Sequence, residues 1–287
     1  MDILNVLKKA SLALESGDCK SPRLDAEVLL SSYLKKDRTC LYTHPEQSMT
    51  EGEYTEFQEW VERRKRGEPV AYIVEEKEFW SLLFQVNNHV LVPRPETEIL
   101  VEEVLKVCSD MGKRNFRILD IGTGCGAISV ALASELKSVQ IVATDISQEA
   151  LAVAVKNAQK NSVDHRISFL LGNLFQPVSG KFDIIVSNPP YISHDEYNTL
   201  PFEVRGFEPK SALLAGNDGT EFHREITKGG VLYLQQGGWL FLEIGSRQKH
   251  TVENILNESN LYDNIAFTQD YAGIERVSRA RRVTTGG

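Results

Sequence analysis

The residues best suited to chemistry are Asn188, Pro189, Pro190 and Tyr191, which directly follow the apolar run 182–187. Proline fixes φ near roughly −65° and donates no backbone hydrogen bond, so this segment is rigid. The Asn188 amide oxygen and the Pro189 carbonyl could accept the two N–H bonds of a planar NH2 group, with the Tyr191 ring covering the flat system attached to it. An ordinary turn after a strand is the competing interpretation, because Asn and Pro are common turn residues.

A glycine-rich turn upstream adds weight to the chemical interpretation. It consists of Gly122, Thr123, Gly124, Cys125 and Gly126. The turn lies between a short apolar strand that ends at Ile121 and a helical pattern over 128–136, which is typical of a phosphate- or nucleoside-binding turn. The next apolar run, 140–144, ends at Asp145, 21 residues after Gly124. An acid at this offset is the usual partner of ribose hydroxyls, so the sequence predicts a nucleoside site.

Two cofactor classes fit the turn. Gly122, Gly124 and Ala127 satisfy the G-x-G-x-x-G/A pattern of dinucleotide-binding folds, which keeps a nicotinamide cofactor open. The compact Asp-x-Gly-x-Gly-x-Gly run from Asp120 and the Asn188 segment on a later strand favour S-adenosylmethionine. A dehydrogenase has no evident use for a rigid pair of acceptors at that place.

The elements that must position these residues fall into two parts. Residues 2–66 show helical patterns with short breaks, including a helix begun by Ser21 and Pro22 and another with a Thr50–Glu53 capping box. A change of period over about 70–92 indicates a β-hairpin linker. From there helices and apolar strands alternate, which predicts an α/β domain with a mostly parallel sheet. We expect the strands near 117–120, 140–144, 167–171, 182–187, 239–244, 263–268 and 276–280, and a loop or small hairpin over 192–220.

Composition and charge limit the partners. The chain has 287 residues and a net charge of −8, with 12 Lys+Arg against 16 Asp+Glu in residues 1–85 and 20 against 24 in residues 86–287. Neither part is basic, so binding to duplex DNA is disfavoured. No stretch is apolar enough for a membrane helix, no basic leader opens the chain, and the four scattered cysteines indicate reduced thiols without a metal site. We therefore expect a cytoplasmic protein.

Three further features have a structural interpretation beside a functional one. The basic run 63–66 fits the last turn of a helix, where cations offset the helix dipole, or a contact with an acidic or RNA-bearing partner. The loop 93–97 is a candidate wall of the site or simply a helix start. Glu243 follows a strand and is expected to be structural.

Several segments together resemble the HemK/PrmC family of peptide chain release factor glutamine methyltransferases. They are the glycine turn 122–126, the Asn188–Tyr191 segment, and the segments 21–27, 67–73, 92–98, 207–209 and 243–245. The resemblance runs from about Ser21 to Arg279 in the family's order. The Asn188 segment alone does not separate this family from DNA-adenine methyltransferases, whereas the N-terminal segments and the 93–98 loop do.

The resemblance implies a fold, a domain order and a cofactor. The fold is a class I, Rossmann-like S-adenosylmethionine-dependent methyltransferase domain with a seven-stranded, mostly parallel sheet. A helical docking domain covers 1–68, a β-hairpin linker 69–95 and the catalytic domain 96–287. The implied cofactor is S-adenosyl-L-methionine, with S-adenosyl-L-homocysteine as product.

Roles of single residues follow from the same resemblance. The turn 122–126 lies along the methionine part of the cofactor, Asp145 takes the ribose hydroxyls, and Asn173 and Leu174 border the adenine. Asn188 serves both cofactor and substrate. Many relatives have Asp at the position of Asn173 and some have Trp at that of Leu174, so altered adenine contacts are expected here.

The implied substrate is the glutamine of the Gly-Gly-Gln motif in bacterial class 1 release factors, methylated on its side-chain nitrogen by a monomeric enzyme. Two alternatives stay open at this point. One is a methyltransferase acting on an exocyclic amine of a nucleic-acid base, against which the charge balance speaks. The other is a non-catalytic module that binds release factors or a nucleoside.

Overall fold

The computed structural model describes residues 1–17 and 19–284, so residues 285–287 of the predicted catalytic range lie outside the described residues. The chain divides into two compact units. The first contains Met1–Glu76 and Leu200–Glu208, and the second contains Lys77–Thr199 and Pro209–Gly287. The helical unit therefore extends past the predicted boundary at residue 68 and takes in a distant segment that the sequence did not assign to it. Within the described residues, none of the helices is long and apolar enough to cross a bilayer.

The first unit is helical. Its helices are α1 (Ile3–Glu15), α2 (Pro22–Tyr33), α3 (Arg38–Thr43), α4 (Glu51–Lys65) and α5 (Val70–Val74), with α10 (Phe202–Phe207) contributed by the distant segment. Apolar residues recur every three or four positions along α1 and form a buried core with Leu30 of α2 and Phe57 of α4. The predicted capping box at Thr50 and Glu53 is confirmed, whereas Ser21 precedes α2 without a side-chain capping bond.

The basic end of α4 is engaged within its own unit. Arg64 is buried, and its guanidinium contacts Asp25 at 2.7 Å and Glu203 at 3.0 Å. Arg63 contacts Glu68 at 2.6 Å. The ion pair between Arg64 and Glu203 fastens the 200–208 segment to α4.

The hairpin begins later than predicted. Residues 70–74 form α5, and the hairpin consists of β1 (Glu76–Phe79) and β2 (Leu82–Gln85). The backbone N–H of Gln85 donates to Oδ1 of Asn157, and Nδ2 of Asn157 donates to the Gln85 carbonyl, at 2.6 and 2.9 Å. The Asn157 amide thus pairs with β2 as a neighbouring strand would.

The second unit is built on a seven-stranded sheet. Its strands are β3 (Phe116–Ile121), β4 (Val139–Asp145), β5 (Ile167–Leu171), β6 (Phe182–Ser187), β7 (Leu234–Glu243), β8 (Tyr262–Gln269) and β9 (Glu275–Arg282), in agreement with the prediction. Its helices are α6 (Thr97–Asp110), α7 (Ala127–Glu135), α8 (Gln148–Lys160), α9 (His194–Tyr197), α11 (Glu221–Tyr233) and α12 (Lys249–Ser259). Short 3-10 turns cover Asp164–Arg166 and Lys210–Ala212. The expected loop over 192–220 thus carries two short helices and one of these turns.

The strand order places the predicted site. The sheet runs β5-β4-β3-β6-β7-β9-β8, and within the described residues β9 alone runs opposite to the other six strands. The order reverses between β3 and β6, and ligands of such sheets bind at the carboxyl ends of the strands beside this point. Ile121 is paired with Ser187 across these two strands. The glycine turn and the Asn188 segment therefore start side by side.

Candidate active site

A cavity of about 290 Å³ lies at the carboxyl ends of the central strands, at the lower end of the size range of small-molecule sites. Every residue of the glycine turn except Gly126 lines it, as do Asp145, Asn173, Leu174, Asn188, Pro189 and Pro190. Apolar walls come from residues spread over the second unit, among them Val90, Leu91, Ile146, Phe222 and Ile226. The structure thus brings together in one cavity residues that were predicted separately from their positions in the sequence.

Two glycines of the turn are required for different reasons. Gly124 has φ +56°, in the left-handed region, and a side chain built there would meet no atom within 4 Å. Gly126 has φ +83°, and a Cβ there would lie 3.1 Å from the Cβ of Ala154 on α8. The first glycine leaves the backbone open to a ligand, and the second permits close packing of the turn on α8.

Asp120 supports the glycine turn through side-chain hydrogen bonds. Its Oδ2 accepts hydrogen bonds from the Thr123 hydroxyl at 2.7 Å and the Ser129 hydroxyl at 2.6 Å. Its Oδ1 is buried and has no partner among the described residues. Burial raises the pKa of Asp120 to about 6, and the two hydroxyl bonds oppose that rise.

Asp145 is tied to the turn through its own carboxylate. Oδ2 accepts from the backbone N–H of Gly124 at 2.8 Å, and Oδ1 accepts from the backbone N–H of Ser147 at 2.9 Å. An ionised carboxylate has about four acceptor sites, so both oxygens can still accept from ribose hydroxyls. Asp145 is therefore rigidly placed on the wall of the cavity.

Asn173 and Leu174 follow β5, the strand beside β4. Leu174 has φ +47°, which is a strained conformation for a residue with a branched Cγ. Such strain is found where the surrounding structure requires a special backbone direction, frequently at ligand sites. Both residues line the cavity on the side of Asp145, where the adenine was predicted.

Asn188 is held by a chain of buried polar groups. Its Nδ2 donates to Oγ1 of Thr97 at 3.2 Å, and the Thr97 hydroxyl donates to Oε2 of Glu243 at 2.7 Å. Thr97 is the first residue of α6, and Glu243 is the last residue of β7. Burial raises the pKa of Glu243 to about 7, and the Thr97 bond opposes the rise.

Tyr191 is the last residue of the Asn188 segment, and its predicted contact with the substrate stays a prediction. Among the described residues it is not part of the cavity lining, and its hydroxyl lies 3.4 Å from Oε1 of Glu243. Its carbonyl accepts from Nε2 of Gln248, which also donates to the Gly219 carbonyl. Burial raises the pKa of the Tyr191 hydroxyl, so this group stays protonated and can donate a hydrogen bond.

Sequence reasoning missed the contact of Thr97 with Glu243 and that of Gln248 with the Tyr191 carbonyl. A threonine at a helix start and an acid at a strand end each have a common structural explanation, so only their meeting across the sheet identifies them. The loop 93–97 has both of its expected properties: Pro93, Arg94 and Thr97 line the cavity, and α6 begins at Thr97.

The cavity fits an adenosyl cofactor. An anchored carboxylate faces it for hydroxyl groups, exposed turn backbone offers close approach, and aliphatic walls suit a flat base. Cys125 also lines it, but burial raises the pKa of its thiol to about 12, so this thiol stays protonated. Redox or nucleophilic chemistry at this cysteine is therefore disfavoured.

Comparisons with known proteins agree with this arrangement. The PrmC N-terminal domain matches residues 5–74, and the methyltransferase small domain matches residues 95–202. The release factor glutamine methyltransferase of Buchnera aphidicola (subspecies Acyrthosiphon pisum) is 40% identical over 98% of this chain and 99% of its own. That of Aliivibrio fischeri is 41% identical over 97% of this chain and 96% of its own.

Solved structures support the fold alone. A methyltransferase from Pyrococcus furiosus superposes with a TM-score of 0.53 at 20% identity, over 80% of this chain and 100% of its own. The catalytic domain of human Mettl16, solved with an RNA hairpin, superposes with a TM-score of 0.57 at 15% identity, over 80% of this chain and 82% of its own. The predicted class I methyltransferase fold is confirmed.

Proposed function

The chain belongs to the family of release factor glutamine methyltransferases, and on this premise we propose its substrate and reaction. The enzyme is an S-adenosylmethionine-dependent methyltransferase. Its substrate is the glutamine of the Gly-Gly-Gln motif in bacterial class 1 peptide chain release factors. The methyl group is added to the side-chain amide nitrogen, N5.

One observation carries this proposal. The glycine turn and the Asn188 segment leave adjacent, paired strands and line one cavity. A cofactor held by the first is therefore within reach of an NH2 group held by the second. Neither motif alone would support transfer to an amide nitrogen, because each has a common structural use.

Three groups of residues would hold the cofactor. The turn 122–126 borders its methionine part, Asp145 accepts from its ribose hydroxyls, and Asn173 and Leu174 border its adenine. S-adenosylmethionine, when bound, supplies a methyl group on a positively charged sulfur, and S-adenosyl-L-homocysteine remains as product.

The protein's contribution to the reaction is positioning. An amide nitrogen is a poor nucleophile because its lone pair is delocalised into the carbonyl. Asn188 Oδ1 and the Pro189 carbonyl each accept one N–H of the glutamine amide and turn its lone pair toward the methyl group, while Pro190 keeps the segment rigid. Orientation of this kind can supply several of the roughly 7–11 kcal/mol available to well-placed reactants. The methylated nitrogen is cationic and then loses a proton, so no general base is needed before transfer.

The helical unit is proposed to recognise the folded release factor. Its first part is matched by the PrmC N-terminal domain, which supports a role shared by the family. We place the enzyme in the cytoplasm, where release factors act, and expect it to work as a monomer without binding duplex nucleic acid.

A methyl-transfer assay with labelled S-adenosylmethionine tests the proposal. The assay compares three substrates: purified release factor, release factor in which the glutamine of the Gly-Gly-Gln motif is replaced by alanine, and duplex DNA. The proposal predicts label on the wild-type release factor alone, located at that glutamine by mass spectrometry. Label on DNA, or equal label on the Gln→Ala variant, would contradict it.

A further inference from the structure

A buried chain of hydrogen bonds runs from the substrate side of the cavity into the sheet. It joins Asn188 Nδ2 to Thr97 Oγ1 at 3.2 Å and Thr97 Oγ1 to Glu243 Oε2 at 2.7 Å. Thr97 is 4% exposed and Glu243 is 1% exposed. The Tyr191 hydroxyl reaches the other oxygen of Glu243 at 3.4 Å.

The number of hydrogens available to Asn188, Thr97 and Glu243 determines which group donates in each of these hydrogen bonds. In its ionised form, which prevails above its pKa of about 7, Glu243 only accepts hydrogen bonds, so the single hydroxyl hydrogen of Thr97 is then donated to Glu243. Thr97 Oγ1 is then left as an acceptor toward Asn188. If the Asn188 amide were rotated by half a turn, its Oδ1 would face this acceptor, and two oxygen lone pairs would oppose each other without a hydrogen between them.

We propose that Thr97 and Glu243 are positioning residues that hold the Asn188 amide with Nδ2 toward the protein and Oδ1 toward the substrate. This inference rests on the proposed function, because it gives Oδ1 the task of accepting an N–H from the glutamine amide. The two residues act through Asn188.

The placement of the three residues supports this role. Asn188 follows β6, Thr97 begins α6 and Glu243 ends β7, so three elements converge on one amide. Burying a carboxylate is costly unless it is hydrogen-bonded, and Thr97 donates such a bond to Glu243. The backbone carbonyl of Glu243 accepts from Nε2 of His223 at 2.9 Å, which further holds the end of the strand.

A pair of threonine variants tests the inference. Thr97→Val keeps the shape and removes the hydroxyl, so kcat for release factor methylation should fall about 10- to 100-fold, as for a misplaced catalytic group. KM for S-adenosylmethionine should stay within about threefold, because Thr97 acts on the substrate side. Thr97→Ser restores the hydroxyl and should recover most of kcat. Thr227→Val, a buried threonine of α11 outside this chain, is the matched control.

A purely structural role would give a different pattern. Thr97→Val with unchanged kcat, or Thr97→Ser as impaired as Thr97→Val, would overturn the proposal. Thermal unfolding of both variants is recorded alongside, because a loss of kcat that only tracks a loss of folded protein would also overturn it.

A measurement without release factor separates this inference from the proposed function. In the ¹⁵N-labelled protein, the side-chain NH2 resonance of Asn188 is assigned by its disappearance in Asn188→Asp. One of its two hydrogens should exchange slowly with solvent in the wild type and quickly in Thr97→Val, with no change in Thr227→Val. Equal exchange in all three proteins would overturn the inference even if methylation of release factor were established. Slow exchange in a protein that does not methylate release factor would uphold the orientation and contradict the function alone.

Discussion

The backbone N–H of Gly124 donates to Oδ2 of Asp145 at 2.8 Å. The carboxylate at the end of β4 is therefore held in place by the backbone of the glycine turn. Residues that are 21 positions apart in the chain form a single rigid wall of the cavity, and a ligand of the turn would meet a carboxylate already in place.

Asp145→Ala should weaken S-adenosylmethionine binding about 10- to 100-fold, since hydrogen bonds to a charged group are lost. Asp145→Asn keeps one side-chain oxygen that can accept from the Gly124 N–H, so it should weaken S-adenosylmethionine binding less than Asp145→Ala does. Titration calorimetry measures both, with the exposed Asp164→Ala as control. Unchanged affinity in Asp145→Ala would place the ribose elsewhere.

Asn157 offers a test of how the turn is supported. Its buried amide bonds the backbone of Gln85 and donates to the Cys125 carbonyl at 2.9 Å, so it joins the hairpin to the glycine turn. Asn157→Ala leaves these backbone groups without partners and should lower the free energy of unfolding by about 2–4 kcal/mol.

Urea denaturation gives the measurement. Gln159→Ala, on the exposed face of the same helix, should change the free energy of unfolding by less than about 0.5 kcal/mol. If the free energy of unfolding fell equally little in both variants, the Asn157 amide would not be an essential support of the glycine turn.

The helical unit has a comparable buried contact. Arg64→Ala removes a buried cation that pairs with Asp25 and Glu203, so an uncompensated carboxylate is left behind. The expected loss is about 3 kcal/mol. Among the contacts of the described residues, the neighbouring Lys65→Ala removes only an exposed one to Glu62 at 3.9 Å and should have almost no effect. Protease sensitivity of 200–208 should rise in Arg64→Ala but not in Lys65→Ala, and equal sensitivity would contradict this assignment.

Glu243 should make stability depend on pH. Its pKa is raised by burial from an ordinary 4.5 to about 7, against the hydroxyl bond from Thr97 and the charge of Arg276, with Glu96 adding to the rise. Between these two values the folded state keeps a proton that the unfolded state releases. The stabilising contribution is therefore complete below pH 4.5 and is lost as pH rises through about 7.

The difference between wild type and Glu243→Gln isolates this effect. Relative to the variant, the wild type should lose about 3 kcal/mol of unfolding free energy between pH 4.5 and above pH 7. His223, whose pKa is lowered to about 4 by burial, is present in both proteins, so its titration largely cancels. Glu103→Gln is the matched control for a buried, ion-paired carboxylate. Parallel pH curves for wild type and Glu243→Gln would mean that Glu243 does not titrate in this window.

Much of the fold and site was predictable because its signals are local. The glycine turn and the Asn188 segment directly follow apolar strands, and Asp145 is the last residue of another. The carboxyl ends of parallel strands meet at one edge of the sheet, so chain order alone places these residues together. The seven strands were found for the same reason, since period and length are properties of a few neighbouring residues.

The missed features depend on single contacts across long stretches of chain. Thr97 and Glu243 are 146 residues apart, and Arg64 and Glu203 are 139 apart. Neither contact produces a periodic pattern in the sequence, and the presence of each residue has a common local explanation. The contact between the Tyr191 hydroxyl and Glu243 was not predicted for a similar reason, since these residues are 52 positions apart.

The most direct test of the account measures methyl transfer and cofactor binding together in Asn188→Ala. Removal of the amide takes away one acceptor for the glutamine NH2 and leaves the glycine turn and Asp145 in place. Single-turnover transfer to release factor should become undetectable, while the affinity for S-adenosylmethionine by calorimetry stays close to that of the wild type. Wild-type transfer by Asn188→Ala would contradict the acceptor role of Asn188, and with it the mechanism built on that residue.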